Sequence, residues 1–290
     1  MGERERERER ELSEQDVLSL IPPDIIYSLP PGKKLSSAIT YSGCQRAPAE
    51  VMAWTEFVSL VNSYAPSEAR QFSQQHFIFQ SFHVSNKAGI EHALRSNVCQ
   101  KLEMLVGGTF EYPSAIRNII GKPDLIFHCQ GTLHLVIEVK TKGVLPRVDD
   151  LAEKFNEDMQ KCVPVQSTIR PIEQIFSYLS FNKLQYGVLT TYQQTWFLKR
   201  DRETLYISPT IDHDNEFPTL FQSYTWILNQ AIEEPSNEPS PSPSQSQPPQ
   251  PPSDHPPTGS SGIPDDDFHL HNSQISKSSR GQQKRGNQPY

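Results

Sequence analysis

Apolar positions recur at helical spacing in several stretches and at strand spacing in the short runs between them. Over residues 88–106, Ile90, Ala93, Leu94, Val98, Leu102 and Leu105 form one stripe that Gly107-Gly108 ends, which predicts a helix. A second stripe, Ile172, Ile175, Phe176 and Leu179, predicts a helix over 168–184, with Pro171 suited to its first turn. Phe221, Tyr224, Trp226, Ile227 and Leu228 predict a closing helix over 217–232. Ala53, Trp54, Phe57, Val58, Leu60 and Val61 share a broad face, so 48–64 reads as a helix and as the first element of the folded domain. Between 147 and 161, Leu151, Phe155 and Met159 recur every fourth residue and read as an amphipathic helix or a mobile crossover.

Strand rhythm is concentrated in residues 121–143, GKPDLIFHCQGTLHLVIEVKTKG, two short apolar runs joined by a tight turn. A second hairpin is expected from 185–191 and 195–199 through Tyr192 to Gln194, followed by an edge strand at 204–208. A short strand is also expected at 115–120. Residues 68–84, with Phe72, Phe77, Phe79 and Phe82, suit a strand without excluding a helix. Pro22, Pro23, Pro30 and Pro31 make 12–45 read as extended, loosely ordered chain with one short helix near 14–20.

Composition divides the chain. Only 35% of the 290 residues are hydrophobic and 25 are proline, and the polar excess gathers at the two ends. Alternating Glu and Arg fill residues 1–11, while Pro, Ser and Gln dominate from Glu233. The expected organisation is a low-complexity leader over 1–47, an α/β domain over 48–232, and a disordered tail over 233–290 that offers a proline-rich surface to a protein partner.

A net charge of −7 lacks the broadly basic footprint of a nucleic-acid binder, although a local basic channel can sit within an acidic chain. Cys44, Cys99, Cys129 and Cys162 form no CxxC pair and read as reduced thiols of an intracellular protein. The charged N-terminus has no secretory core, and no apolar run approaches the ~18 residues of a membrane span. Lys277, Arg280, Lys284 and Arg285 form a weak basic cluster that reads as a solubilising tail, with nuclear import as the alternative.

The first hairpin also carries charge. Asp124 opens its first strand, and Glu138 and Lys140 close its second, where alternation projects them from one face. Register decides whether Asp124 joins them. A three-residue turn, Gln130-Gly131-Thr132, would pair Cys129 with Leu133 and set Asp124 opposite Glu138, whereas a two-residue turn would split the carboxylates across the sheet. Parity also places His128 and His134 on or near that face, where a structural role is expected of both. Two converging carboxylates can hold Mg²⁺, or Mn²⁺, while Lys140 stabilises charge on a phosphate or orients water.

Pro123-Asp124 followed by Glu138-Val139-Lys140 resembles the PD-(D/E)XK motif of restriction-endonuclease-like nucleases, and Gln174 with Tyr178 resembles the QxxxY motif of their RecB-type branch. The phrases AGIEHALRSNVCQKLE, GKPDLIF, LVIEVKTKG, QIFSYL and YGVLTTYQQTWFLKR are similar to the nuclease domains of fungal crinkler-type and kinase-linked proteins. The resemblance implies an αβββαβ core with a mixed sheet flanked by helices, spanning about 48–232. It implies Glu91, Asp124 and Glu138 as metal ligands and Asp124, Glu138, Lys140, Gln174 and Tyr178 as catalytic residues. Glu91 alone reads equally as a carboxylate favoured near a helix start. Neither a kinase-like glycine-rich loop after Ile232 nor a crinkler header is present. The expected activity is Mg²⁺-dependent hydrolysis of DNA, with RNA second. One alternative is a nuclease-fold effector or interaction module without turnover. Another is an unrelated α/β domain whose Glu138 and Lys140 form a surface ion pair.

Overall fold

A computed structural model of the chain describes residues 11–29, 46–67, 69–115, 119–161 and 168–234. The Glu-Arg leader up to residue 10, the tail beyond 234 with its basic cluster, and Cys44 and Cys162 lie outside the described residues. Tertiary contacts divide the chain into Met1–Ser240 and Pro241–Tyr290, and every described residue belongs to the first unit.

The N-terminal part contains β1 (Glu11–Ser13), α1 (Glu14–Leu18), β2 (Ile26–Tyr27), β3 (Glu50–Ala53), α2 (Phe57–Asn62), β4 (Gln71–Ser73) and β5 (His83–Val84). Then follow α3 (Lys87–Leu94), a π-helical turn at Arg95–Cys99, α4 (Gln100–Val106), β6 (Thr109–Glu111), β7 (Leu125–Cys129) and β8 (Thr132–Val139). The remainder is α5 (Leu151–Gln160), α6 (Ile169–Phe181), β9 (Tyr186–Thr190), β10 (Gln194–Asp201), β11 (Thr204–Ile207), β12 (Ile211–Asp212) and α7 (Leu220–Glu233).

The main sheet runs β3-β11-β10-β9-β8-β7-β6, with β12 pairing β10. It is mixed: β8–β9 and β11–β3 are parallel and the other neighbours antiparallel. Helices cover both faces, as a sheet with parallel pairs requires. Leu135, Ile137 and Val139 of β8 enter one core with residues of α3, α4 and α7, while Val136 enters the other with Ile172, Ile175 and Leu179 of α6 and Leu151 and Phe155 of α5. Among the described residues, no helix is long and apolar enough to cross a membrane.

The long stripe over 88–106 forms as expected. Its apolar positions are all buried, and Gly107 ends it in the left-handed conformation at φ 71°. The helices expected over 168–184 and 217–232 are α6 and α7, and the second hairpin is β9–β10. The segment 48–64 differs. Its first half is β3, whose Val51 is buried while Met52 is exposed, and only Phe57–Asn62 is helical. β3 pairs in parallel with β11, so the strand expected at the sheet's edge lies one position inside it. Met159 is 51% exposed, its expected place on the buried side of α5 being taken by Asp158, which accepts from Thr168 N at 2.8 Å and from Lys154 at 2.5 Å. In place of a strand over 115–120, Pro113–Ala115 is a 3₁₀ turn, residues 119–120 are irregular, and 116–118 lie outside the described residues. Within the proline-rich segment, residues 12–29 are more ordered than the composition implies, and residues 30–45 lie outside the described residues. Leu12, Val17, Leu18 and Ile25 are buried, and Ser13 and Asp16 form a capping box that starts α1.

Candidate functional site

The charged ends of β7 and β8 meet, by a route the alternation argument does not contain. The turn between them has two residues, Gln130 and Gly131, at φ 52° and 77°, and pairs Cys129 with Thr132. Two consecutive positive φ values fit the tight hairpin turn whose twist matches the strands. Left alone, that register would have separated the carboxylates. A β-bulge between Phe127 and His128 restores it: His128 pairs with Leu133, Phe127 with Leu135, and His134 is the extra residue. Ile126 then pairs with Val136 and Leu125 with Ile137, so the next pair outward is Asp124 and Glu138. The three-residue turn is therefore corrected, while the convergence it was invoked to explain is present.

The backbone fixes these side chains. Asp124 N donates to Ile137 O at 3.1 Å, and Asp124 Oδ2 accepts from Val139 N at 2.6 Å, which ties the carboxylate to the end of β8. Lys140 N donates to Thr190 O at 2.8 Å, extending the β8–β9 pairing to the lysine. Lys140 Nζ donates to Glu138 Oε1 at 2.7 Å and to Gln174 Oε1 at 2.6 Å. Gln174 Nε2 donates to Tyr178 OH at 2.8 Å, and Tyr178 OH donates to Lys122 O at 3.1 Å. Four residues apart on α6, Gln174 and Tyr178 lie on one helix face and run as a relay from Lys140 back to the loop that leads into Asp124. Gly121 completes this loop: at φ 94°, a Cβ there would stand 2.5 Å from Tyr178 Cε1.

Glu91 reaches the cluster from α3, together with a residue the sequence reading missed. Lys87 Nζ lies 2.6 Å from Asp124 Oδ1, 3.4 Å from Glu138 Oε1 and 3.8 Å from Glu91 Oε1. One ammonium thus sits among three carboxylates. The available signal was local: Lys87 precedes Glu91 by four residues at the start of the helix, with Asn86 capping through Gly89 N.

The electrostatics are those of a buried cluster. Glu138 has no solvent exposure and Lys140 is 3% exposed, so the pair is not a surface ion pair. Burial is the largest influence on Glu138 and raises its carboxyl to about 7, with the Asp124 charge adding to the rise and Lys140 opposing it. Burial likewise raises Glu91 to about 7, reinforced by Asp124 and opposed by Lys87. Burial would lower the Lys87 ammonium, but the charges of Glu138 and Asp124 outweigh it and hold the group above its ordinary value. Tyr178 is pushed up to about 12, first by burial and then by Glu138. Glu138 Oε2 is buried and has no hydrogen-bond partner. Among the described residues, no three His, Cys, Asp or Glu side chains stand ready-arranged around a metal position. The carboxylates surround Lys87 instead.

The two histidines that parity set near this face separate from the cluster. His134 turns away at the bulge and bonds the Ala231 carbonyl at 2.9 Å, while His128 faces Glu111 at 3.1 Å. Lys142 lies 3.7 Å from the centre of the Tyr27 ring and lines a cavity of about 320 Å³ with Arg147, Gln193 and His213. Trp196 is fully buried and donates to Thr210 Oγ1, as a core residue does. Cys99 is a buried free thiol and Cys129 a half-buried one. No family model matches this chain, and neither does any curated protein or solved structure with which it was compared.

Proposed function

We propose that residues 48–232 form a PD-(D/E)XK-type nuclease of the restriction-endonuclease-like class, which hydrolyses phosphodiester bonds with a divalent cation, Mg²⁺ or Mn²⁺. The observation that carries this reading is the convergence of Asp124, Glu138, Lys140, Gln174, Tyr178 and Glu91, from four elements, into one connected cluster. A cluster placed only for stability has little use for three carboxylates, one of them with a buried and unbonded oxygen. The donors fit a hard divalent cation, which takes carboxylate oxygens and retains water. Asp124 and Glu138 would hold it, with Glu91 completing the set. When bound, such a cation neutralises phosphate charge and makes a coordinated water more acidic.

The chain's own residues supply the rest. Lys140 is held between Glu138 and Gln174, so its ammonium has a fixed direction and can stabilise charge developing on a phosphate oxygen or orient the attacking water. Gln174 fixes that ammonium, and Tyr178, kept protonated by burial, fixes Gln174. The proposed substrate is DNA, with RNA second. The test is a cleavage assay on single- and double-stranded DNA and RNA with Mg²⁺ or EDTA, run beside Lys140→Ala and Asp124→Asn proteins. Expected is cleavage that needs the cation and is lost in both variants. Cleavage that survives either substitution, or none on any substrate, counts against the reading.

One observation favours a second reading, a nuclease-fold interaction module without turnover: Lys87 already provides a cation for the three carboxylates. Nucleic-acid or protein binding that is indifferent to EDTA and to Lys140→Ala would support it.

A further inference from the structure

The place of Lys87 is unexplained by the motif residues. It is the first residue of α3, and its ammonium touches the same carboxylate oxygens that a metal ion would need. Asp124 Oδ1 at 2.6 Å is its closest partner, and Glu138 Oε1 at 3.4 Å and Glu91 Oε1 at 3.8 Å complete a three-sided anionic seat. Every acidic side chain of the cluster therefore faces this one group. Lys140 shares a single oxygen of the seat, Glu138 Oε1 at 2.7 Å, and its other hydrogen bond goes to Gln174, away from Asp124 and Glu91.

We propose that Lys87 is a tethered competitor for the divalent cation. Its ammonium holds the carboxylates together in the metal-free protein and must leave the seat when a metal ion enters. The proposal rests on the metal-site reading above. It follows from exclusion. Mg²⁺ binds oxygen at about 2.1 Å, so an ion on Asp124 Oδ1 would lie within about 4.7 Å of the ammonium that holds the same atom at 2.6 Å. At that separation, inside a poorly solvated cluster, two cations repel strongly and compete for one set of oxygen lone pairs. Departure is sterically open to Lys87. Its side chain is 29% exposed and sits at a helix end, whereas Glu138 and Lys140 are enclosed. Swung outward on its flexible stem, the ammonium would stand at the mouth of the site, where an incoming phosphate could meet it.

A tether that occupies the seat most of the time lowers apparent metal affinity in proportion to the fraction of molecules left open. Removing the charge should therefore tighten binding. The test measures free Mn²⁺ by electron paramagnetic resonance, with no nucleic acid present, for the wild type, Lys87→Met, Lys87→Arg and Asp124→Asn. Expected is Mn²⁺ affinity ~10-fold tighter in Lys87→Met, as for a seat left open about one-tenth of the time. Lys87→Arg, which keeps a cation, should not tighten, and Asp124→Asn should lose binding. Should Lys87→Met fail to fold in EDTA, Lys87→Gln keeps a donor for Asp124 without the charge and serves in its place. Wild-type binding that Asp124→Asn abolishes, and that removal of the Lys87 charge leaves unchanged or weakens, overturns the proposal while leaving the metal site intact. Absence of Mn²⁺ binding in the wild type and in the uncharged variant alike sinks both readings.

Discussion

Replacing Lys140 by Met takes the nearest cation from a carboxylate that has no contact with solvent. Lys140 Nζ is 2.7 Å from Glu138 Oε1, and neither side chain is more than 3% exposed. Breaking a buried pair on one side typically costs about 3–5 kcal/mol, because the remaining charge has no partner. Here the carboxylate has an escape. Burial has already raised Glu138 to about 7 in the intact site, so at pH 8 its ionised form is favoured over its neutral form by only about 1–2 kcal/mol. Lys140→Met can take up a proton and give up that amount instead of the full penalty. The charged hydrogen bond to Gln174 adds ~1.5 kcal/mol. The expected loss at pH 8 is about 3 kcal/mol, which for a domain of this size is roughly 6–12 °C in Tm.

The sign with pH follows from the same shift. A carboxyl raised in the folded state stabilises fully below its unfolded value, and that contribution disappears as pH rises through its folded value. Without Lys140, the folded value of Glu138 moves further up, so the variant continues to lose stability where the wild type has finished. At pH 5.5 both proteins carry a neutral Glu138, and the difference shrinks toward the ~1.5 kcal/mol of the Gln174 bond. Urea denaturation in EDTA at pH 5.5 and 8 measures both losses. A Lys140→Met/Glu138→Gln double variant, which has no carboxylate to protonate, should recover part of the loss at pH 8. A loss equal at the two pH values, or larger at pH 5.5, would refute the reasoning.

Two further outcomes are expected. In EDTA, the wild type should lose ~1.4 kcal/mol per pH unit for each proton released between about pH 5 and 7, because the folded cluster holds protons on Glu91 and Glu138 that the unfolded chain gives up. A denaturation series against a Glu91→Gln/Glu138→Gln variant isolates this slope, and equal slopes in the two proteins would contradict it. Gly121→Ala should cost about 2 kcal/mol or more and, on the proposed nuclease reading, weaken cleavage, since the added Cβ would displace the Tyr178 ring. Gly131→Ala, at φ 77° with open space around it, should cost only ~1 kcal/mol and spare cleavage. Equal effects of the two on stability and cleavage would discount the close approach to Tyr178.

The long helices were legible because a single stripe contains enough information. The failure over 48–64 shows the limit. Ala53 and Trp54 fit a helical face on paper, but Trp54 N donates to Ile207 O at 2.7 Å, and β3 exists because β11 offers an edge. That partner is about 150 residues away in the chain, and no local window contains it. Residues 12–29 differ from expectation for the same reason: Leu12, Val17 and Ile25 are ordinary apolar residues until a core elsewhere receives them. In the hairpin, parity reached the right meeting of Asp124 and Glu138 through the wrong turn. The shorter turn shifted the register by one residue and the bulge at His134 shifted it back. Nothing in the local pattern distinguishes His134 as a bulge, whereas charges at the ends of two apolar strands are visible as residues that only a site or a partner explains.

Lys87 was the larger omission, and it changes how the charge of the cluster is understood. Glu91, Asp124 and Glu138 bring three carboxylates, and Lys87 and Lys140 bring two ammoniums. Fully ionised, the group would carry one excess negative charge in a largely desolvated place. Burial first, and the Asp124 charge after it, raise the carboxyls of Glu91 and Glu138, and a proton held near neutral pH brings the group to zero. On the proposed reading, a divalent cation entering the seat replaces the Lys87 ammonium and that proton together, two positive charges for two. The net charge of the buried group is then the same with and without the metal. Binding would be coupled to proton release and to the outward movement of one side chain, while the sheet that presents Asp124, Glu138 and Lys140 stays as it is. The arrangement that looks like a lysine blocking a site is then the charge-matched resting state of one.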